Sequence, residues 1–307
     1  MSGLKIIFMG SPDFAVDSLA TLLASEHEVV AVVTATDKWG GRGGKQLLTT
    51  EVKKFAIDKG IPVLQPSNLK APSFIAELKS YKHDIQVVVA FRMLPQVVWD
   101  LPRLGTINVH ASLLPKYRGA APINWAIIRG EKETGVTVFK LQHEIDTGGI
   151  VRQKSIPIEN NDDFGSLYTK LKILGAQELM IALKDIADGS AHYLPQNDAM
   201  ACHAPKIFHE TCQIDFNTTA LDVQNFVRGL HPFPGAWFEF MGQEMKVLRC
   251  DILHDQHQYM PGSIHSDKKK YLHIATQDGF LVLQKVKYEG KKEMEITDFL
   301  NGFHWPE

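Results

Sequence analysis

As far as Ala90 the chain alternates short apolar runs with helix-length amphipathic stretches, and that rhythm admits few folds. Lys5 to Phe8, Glu28 to Val33, Pro62 to Leu64 and Ile85 to Ala90 read as strands. A helix starting after Asp13 and running toward Leu23 lies between the first two, with Asp13 as its expected cap. Glu51 to Lys59 and Pro72 to Lys79 read as helices farther on. Strand, helix and strand in series require crossover connections, which are right-handed and build parallel sheets. Strands with little polar alternation suit a sheet covered on both faces. The expected class is therefore α/β, a Rossmann-like, mainly parallel sheet.

The pattern continues with a segment near Leu94 to Trp99, a strand from Thr106 to His110, a helix from Pro122 to Ile128, and strands at Gly135 to Leu141 and Ile150 to Ile158. A long amphipathic helix from Phe164 to about Asp188 follows. The texture changes after Gly189. Residues 190–208 carry Pro195, Gln196, Asn197, Asp198 and Pro205 without periodicity, and read as a linker. Beyond a helix at Ala220 to Leu230 come short alternating stretches, at Gly235 to Phe240, Met245 to Leu253, Tyr271 to Thr276 and Gly279 to Lys287. Strands at this spacing suggest a small, OB-like β-barrel. The expected division is a catalytic domain at 1–189, a linker at 190–208 and a C-terminal β-barrel at 209–307. A length of 307 residues suits two domains.

Several classes of function fall away. The formal net charge is only −2, so no global attraction to nucleic acid is implied. Three scattered cysteines, Cys202, Cys212 and Cys250, argue against a disulfide framework and fit a reducing cytoplasm. No pair of cysteines suggests zinc, the histidines after residue 250 form no ligand set, and no metal is expected. No apolar run reaches the roughly 18 residues needed to cross a bilayer, and no signal-peptide pattern opens the chain. A cytoplasmic monomer is expected. The first βα turn, Gly10-Ser11-Pro12-Asp13-Phe14-Ala15, lacks G-x-G-x-x-G, which argues against a dinucleotide.

Chemistry concentrates in Asn108-Val109-His110-Ala111-Ser112-Leu113-Leu114-Pro115 and in Asp146 of the turn Ile145-Asp146-Thr147-Gly148. Asn108 and His110 are two apart, so a strand presents both on one face. The Pro- and Gly-bearing loop that follows places them at a strand's carboxyl end, where open α/β sheets hold their sites. An amide, an imidazole and a carboxylate suffice to move an acyl group onto an amine. The loop Asp37-Lys38-Trp39-Gly40-Gly41-Arg42-Gly43-Gly44-Lys45 combines glycines, cations and an indole, and is either a solvated loop or an arm for RNA. Residues 209–307 hold 10 Lys and Arg against 14 Asp and Glu, so any RNA contact there must use a local face. Lys206, Arg228, Lys246 and Arg249, with Lys268 to Lys270, Lys285, Lys287, Lys291 and Lys292, are the candidates.

N-x-H-x-S-L-L-P, followed by R-G-A-A-P, E-T-G-V-T and D-T-G, resembles the 10-formyltetrahydrofolate-dependent formyltransferases. The start at Lys5 to Ala15, the loop at Gly41 to Lys45, Pro232-Phe233-Pro234-Gly235-Ala236-Trp237 and Gly290 to Met294 resemble the branch that acts on methionyl initiator tRNA. The resemblance implies that Asn108 and His110 hold the formyl oxygen as it becomes an oxyanion. It implies that Asp146 fixes the protonation of His110 and helps take the proton from the amine. It implies a folate pocket at Phe91, Arg92, Met93 and Leu94 with Ser112, Leu113, Leu114 and Pro115. Phe91-Arg92-Met93-Leu94-Pro95 stands where the family has a Tyr-Gly pair followed by one more residue, and Arg92 faces either the glutamate tail or solvent. tRNA contacts are implied at Gly10, Ser11, Phe14, Lys38, Arg42, Lys45, Lys206 and Arg228. Two readings compete with this one. A small-amine formyltransferase, such as one for an amino-sugar nucleotide, would share the three polar groups. A non-enzymatic folate- or RNA-binding protein would not need all three.

Overall fold

The computed structural model describes residues 3–40 and 45–305. In chain order the elements of the first half are β1 (Lys5–Gly10), α1 (Phe14–Leu23), β2 (Glu28–Val33), β3 (Lys38–Gly40), β4 (Gln46–Leu48), α2 (Glu51–Asp58), β5 (Val63–Leu64), α3 (Pro72–Ser80), β6 (Ile85–Val89), α4 (Gln96–Trp99) and β7 (Thr106–His110). Then come β8 (Arg118–Gly119), α5 (Pro122–Ile128), β9 (Glu133–Lys140), β10 (Ile150–Pro157), α6 (Phe164–Ala187) and β11 (His203–Ala204). The remainder holds α7 (Ala220–Leu230), β12 (Ala236–Phe240), β13 (Gln243–Leu253), β14 (Ile264–Ser266), β15 (Leu272–Ala275), β16 (Phe280–Tyr288), β17 (Glu293–Glu295) and α8 (Ile296–Gly302). The chain divides into two compact units. One comprises Met1–Gly119, Thr134–Ile156 and Tyr168–His203; the other comprises Ala120–Glu133, Pro157–Leu167 and Ala204–Glu307.

The first unit is built on a seven-stranded sheet in the order β10-β9-β7-β6-β1-β2-β5. β1 pairs in parallel with β2 and β6, β2 with β5, and β6 with β7, while β9 meets β7 antiparallel. The mainly parallel α/β class read from the alternation is thus the fold observed. Ile7, Met9, Val33, Val88, Phe74 and Leu78 form one buried cluster, the reason that β1 and β6 carry almost no polar residue. From β1 the chain runs outward to β2 and β5, then returns to β6 on the other side. Strand order therefore reverses between β1 and β6, and the crevice at their carboxyl ends is where such sheets bind ligands.

The start of α1 departs from expectation. Asp13 makes no capping hydrogen bond. Its carboxylate instead accepts from Tyr168 at 2.5 Å and from Lys172 at 3.3 Å, both on α6. The Tyr168 oxygen itself accepts the Phe14 N–H at 2.9 Å, so a tyrosine from distant sequence does the work of the cap. The expected loop from Thr34 to Lys45 also carries structure. β3 and β4 pair as an antiparallel hairpin with Trp39 opposite Leu47.

The second unit is an antiparallel sheet, ordered β12-β13-β16-β15-β14 with β17 also on β16, curled as a half-barrel. Alternation along β12 and the first half of β16 turns Phe238, Phe240, Leu281 and Leu283 inward. Phe240, fully buried, meets the rings of Phe238, Tyr288, Phe299, Phe303 and Trp305 at centroid distances from 5.3 to 6.3 Å. Helix α7 is as expected, its Thr219 side chain accepting the Asp222 N–H at 3.1 Å. Among the described residues no helix is long and apolar enough to cross a membrane.

Candidate active site

β7 delivers Asn108 and His110 to the carboxyl edge of the sheet, in register with Val88 of β6 and Thr137 of β9 respectively. His110 is buried and its Nε2 lies 2.9 Å from the Tyr117 carbonyl oxygen. A carbonyl only accepts, so Nε2 carries the proton of that bond. The other ring nitrogen, Nδ1, stands 4.0 Å from Asp146 Oδ2. That spacing is too long for a direct hydrogen bond and short enough for strong coupling between charges. Asn108 Oδ1 is buried with no hydrogen-bond partner. An unsatisfied buried oxygen costs about 1–3 kcal/mol, and here it sits on a residue two positions from His110 on the same strand. The sequence thus brings its three candidate groups to one place.

Asp146 is held from several sides. Its Oδ2 accepts the Gly119 N–H at 2.9 Å, and its backbone lies in the left-handed region at φ 55°. Gly148 explains the last letter of D-T-G. A Cβ there would stand 1.7 Å from the Lys140 carbonyl oxygen, so only glycine lets the turn lie against β9. Thr147 accepts from Gln142 at 2.8 Å and donates to the Glu144 carbonyl at 3.1 Å.

The residues expected around folate fall into two groups. Phe91 to Leu94 follow β6 at the point where strand order reverses, with Phe91 half-buried, Arg92 and Met93 exposed, and Leu94 buried. The Arg92 guanidinium donates to the carbonyls of Pro66 and Ser67 and lies 5.7 Å from the Phe91 ring centroid. Ser112 to Pro115 form the loop after β7. Ser112 Oγ donates to the Lys116 carbonyl at 2.7 Å, and Thr137 Oγ1 bridges the Ser112 carbonyl and the Leu114 N–H. Ser112 and Leu114 are buried and shape the loop from within, while Leu113 and Pro115 are partly exposed.

The residues expected to face RNA are dispersed. Gly10 is buried at the end of β1, where a Cβ would meet Ala15 at 2.7 Å. Ser11 Oγ accepts the Ala35 N–H at 3.2 Å, and the buried Phe14 ring packs edge-on against Tyr168 at 5.1 Å. Lys38 and Lys45 are exposed beside the 72% exposed indole of Trp39; Arg42 lies outside the described residues. In the second unit Lys206 rests 5.2 Å from the Phe208 ring centroid. Lys206, Lys246, His209 and Phe233 line a cavity of about 460 Å³. Arg228 is turned inward. It donates to Asn225 Oδ1 at 2.9 Å and to the carbonyls of Asp162 and Glu159 at 2.9 and 3.2 Å, and burial lowers its pKa. Arg249 and Lys285 pair with Glu295 and Glu293 at 2.9 and 3.2 Å. Side-chain identity gives no sign of what Tyr117 and Gly119 supply, since both act through backbone atoms.

Residues 4–183 match the formyl transferase family and residues 206–304 the formyl transferase C-terminal domain, so the chain belongs to the formyl transferases. It is 48% identical over 310 residues to the methionyl-tRNA formyltransferase of Parabacteroides distasonis, covering 98% of this chain and 96% of that one. The methionyl-tRNA formyltransferase of Flavobacterium johnsoniae is 44% identical over 307 residues, with 98% and 97% covered. Among solved structures, an N-formyltransferase from Helicobacter canadensis in complex with folinic acid and dTDP-3-aminofucose shares the fold, with a TM-score of 0.65 at 20% identity over 91% of this chain and 98% of that one. HypX from Aquifex aeolicus shares it at a TM-score of 0.66 and 19% identity. The match covers 98% of this chain but spans only 49% of HypX.

Proposed function

We propose that this chain transfers the formyl group of 10-formyltetrahydrofolate to the α-amino group of methionyl initiator tRNA. The observation that carries the reading is the convergence of Asn108, His110 and Asp146 at the carboxyl end of β7, with the His110–Asp146 separation of 4.0 Å, in a chain 48% identical to a methionyl-tRNA formyltransferase. The amine attacks the formyl carbon, its bond to N10 of the folate breaks, and one proton leaves the amine as N10 gains one. The Asn108 amide offers the site N–H donors and an acceptor oxygen. With Nε2–H committed to Tyr117, His110 donates to the developing oxyanion from Nδ1 when the ring carries both protons. Asp146 supplies the countercharge for that form and takes the proton from the amine. One oxyanion donor is worth about 10²–10³ in rate, and proton transfer by a positioned group about 10²–10⁴.

The pterin lies in the crevice bounded by Phe91 to Leu94 and by the loop at Ser112 to Pro115, the position that the reversal of strand order favours. Arg92 is tied to the backbone at residues 66–67, which supports a role in shaping the rim. The β3–β4 hairpin, with Lys38, Trp39 and Lys45, offers RNA an exposed indole and cations; the sequence adds Arg42 between them, and Lys206 is a further cation. Residues 1–189 act as the catalytic domain, 190–208 as the linker and 209–307 as the RNA-binding half-barrel, in a cytoplasmic monomer that uses no metal.

The test gives purified protein 10-formyltetrahydrofolate with Met-tRNA or with an amino-sugar nucleotide. Formyl-methionyl-tRNA as the product is expected. Absence of transfer to Met-tRNA refutes the reading, and transfer to the amino sugar alone replaces it with the small-amine alternative.

A further inference from the structure

The stretch after α6 forms little regular structure beyond a short 3-10 turn at Asp198–Met200, yet one of its side chains engages the candidate site. Gln196 is half-buried. Its amide nitrogen donates to two backbone carbonyls of the D-T-G turn, Asp146 and Gly148, each at 2.9 Å. Its Oε1 accepts two bonds from Arg118, from Nε at 3.1 Å and from Nη2 at 2.7 Å. The same Nη2 donates to Asp198 Oδ1 at 2.6 Å. Both donors and both acceptor positions of the amide are thereby used, which fixes its orientation. Arg118 in turn is buried, so the clamp has a rigid base.

The turn needs such a clamp. Asp146 holds a left-handed backbone at φ 55°, a conformation that costs free energy in a non-glycine residue and persists only where its surroundings enforce it. Two carbonyls of that turn meet one amide, while the carboxylate of Asp146 accepts the Gly119 N–H and stands 4.0 Å from His110. Release of the carbonyls lets Asp146 relax and moves its carboxylate away from the imidazole.

We propose that Gln196 is a positioning residue for formyl transfer: its amide N–H groups hold the Asp146–Gly148 turn and so set the distance between His110 and Asp146. The proposal rests on the formyl-transfer role assigned to Asp146. Gln196 touches neither substrate in this view and acts only through Asp146.

Gln196→Glu is the sharpest variant. It keeps the length and the acceptors for Arg118 but removes both donors to the turn. kcat is expected to fall by about 10- to 100-fold, since a misplacement near 1 Å can cost that much. KM for each substrate and the melting temperature are expected to stay at wild-type values. In an Asp146→Ala background, Gln196→Glu should have no further effect, as for groups that act as a unit. Gln196→Met, neutral and similar in length, is expected to show the same loss of kcat should the glutamate variant fold poorly. Wild-type kcat in Gln196→Glu or Gln196→Met overturns the proposal, and so do effects of residues 146 and 196 that multiply. These results are distinct from failure of the parent reading, in which the wild-type protein itself does not formylate Met-tRNA.

Discussion

Replacing Asp146 by Asn isolates the charge from the geometry. The new side chain keeps an oxygen for the Gly119 N–H, which the carboxylate now accepts at 2.9 Å, so the turn has no reason to move. What is lost is a negative charge 4.0 Å from His110 Nδ1, and with it the group that takes the proton from the amine. Two unit charges at that distance attract by about 4 kcal/mol at an effective dielectric constant near 20. Both side chains are largely buried, with 8% and 12% of their surface exposed, so water screens the pair weakly. At 1.36 kcal/mol per decade, full use of the charge in the transition state corresponds to about three decades of rate. Asp146→Asn should therefore lower kcat by about 10²–10³. KM for Met-tRNA and for the folate should hardly change, because neither substrate needs this charge in order to bind. Single-turnover formylation with both substrates saturating reads the chemical step directly. A rate within tenfold of wild type would show that the carboxylate contributes position alone. A large rise in KM with kcat intact would show that it binds substrate and does not serve the chemistry.

Three other outcomes follow from packing and titration. Gly148→Ala forces the turn away from the Lys140 carbonyl; it should cost about 1–3 kcal/mol of stability in denaturant unfolding and reduce kcat, and a neutral result would mean that the turn yields freely. Phe240→Ala empties the centre of the aromatic cluster in the second unit and should cost about 3–5 kcal/mol, read as an earlier unfolding transition; an unchanged transition would place that core elsewhere. His27 and His83 are held below the usual histidine pKa chiefly by burial. His27 Nδ1 accepts the Leu4 N–H at 3.1 Å, and Gln86 lies 3.0 Å from His83 Nε2, so the folded state favours neutral rings. Unfolded histidine takes up a proton near pH 6.5, so stability is intact above that value and falls as the pH drops toward the lowered folded values. Thermal melts at pH 7.5 and 5.5 should show this loss, and His83→Gln should lessen it.

Much of the fold is legible because each signal in it is local. The apolar runs became β1, β2 and β6, and helices α5 and α7 begin and end at the expected residues. Burial on both faces removes polar residues from a strand, and a proline or threonine at a helix start is read from its neighbours alone. Asp13 shows where local reading stops. Asp at this position favours a cap, but Tyr168, 155 residues away, takes the carboxylate and replaces it at the Phe14 N–H. β3 and β4 escaped notice for another reason: three-residue strands flanking glycines give no period to detect.

The candidate site divides along the line between side chains and backbone. Asn108, His110 and Asp146 are legible because their residue types declare chemistry. The Tyr117 carbonyl and the Gly119 N–H are groups that every such residue carries, and only the fold aims them at His110 and Asp146. Yet they decide how the declared residues act. With Nε2 engaged by Tyr117, His110 has one nitrogen left for substrate, and it is the one facing Asp146. Exchanging Tyr117 for Phe leaves that carbonyl in place and should spare kcat, even though the side chain is buried. The clearest contrast would be a backbone change at the same position, an ester at the bond between residues 117 and 118, which weakens the carbonyl as an acceptor. It should slow formyl transfer while Tyr117→Phe does not. Equal rates in the two variants would mean that the His110–Tyr117 bond does not orient the ring.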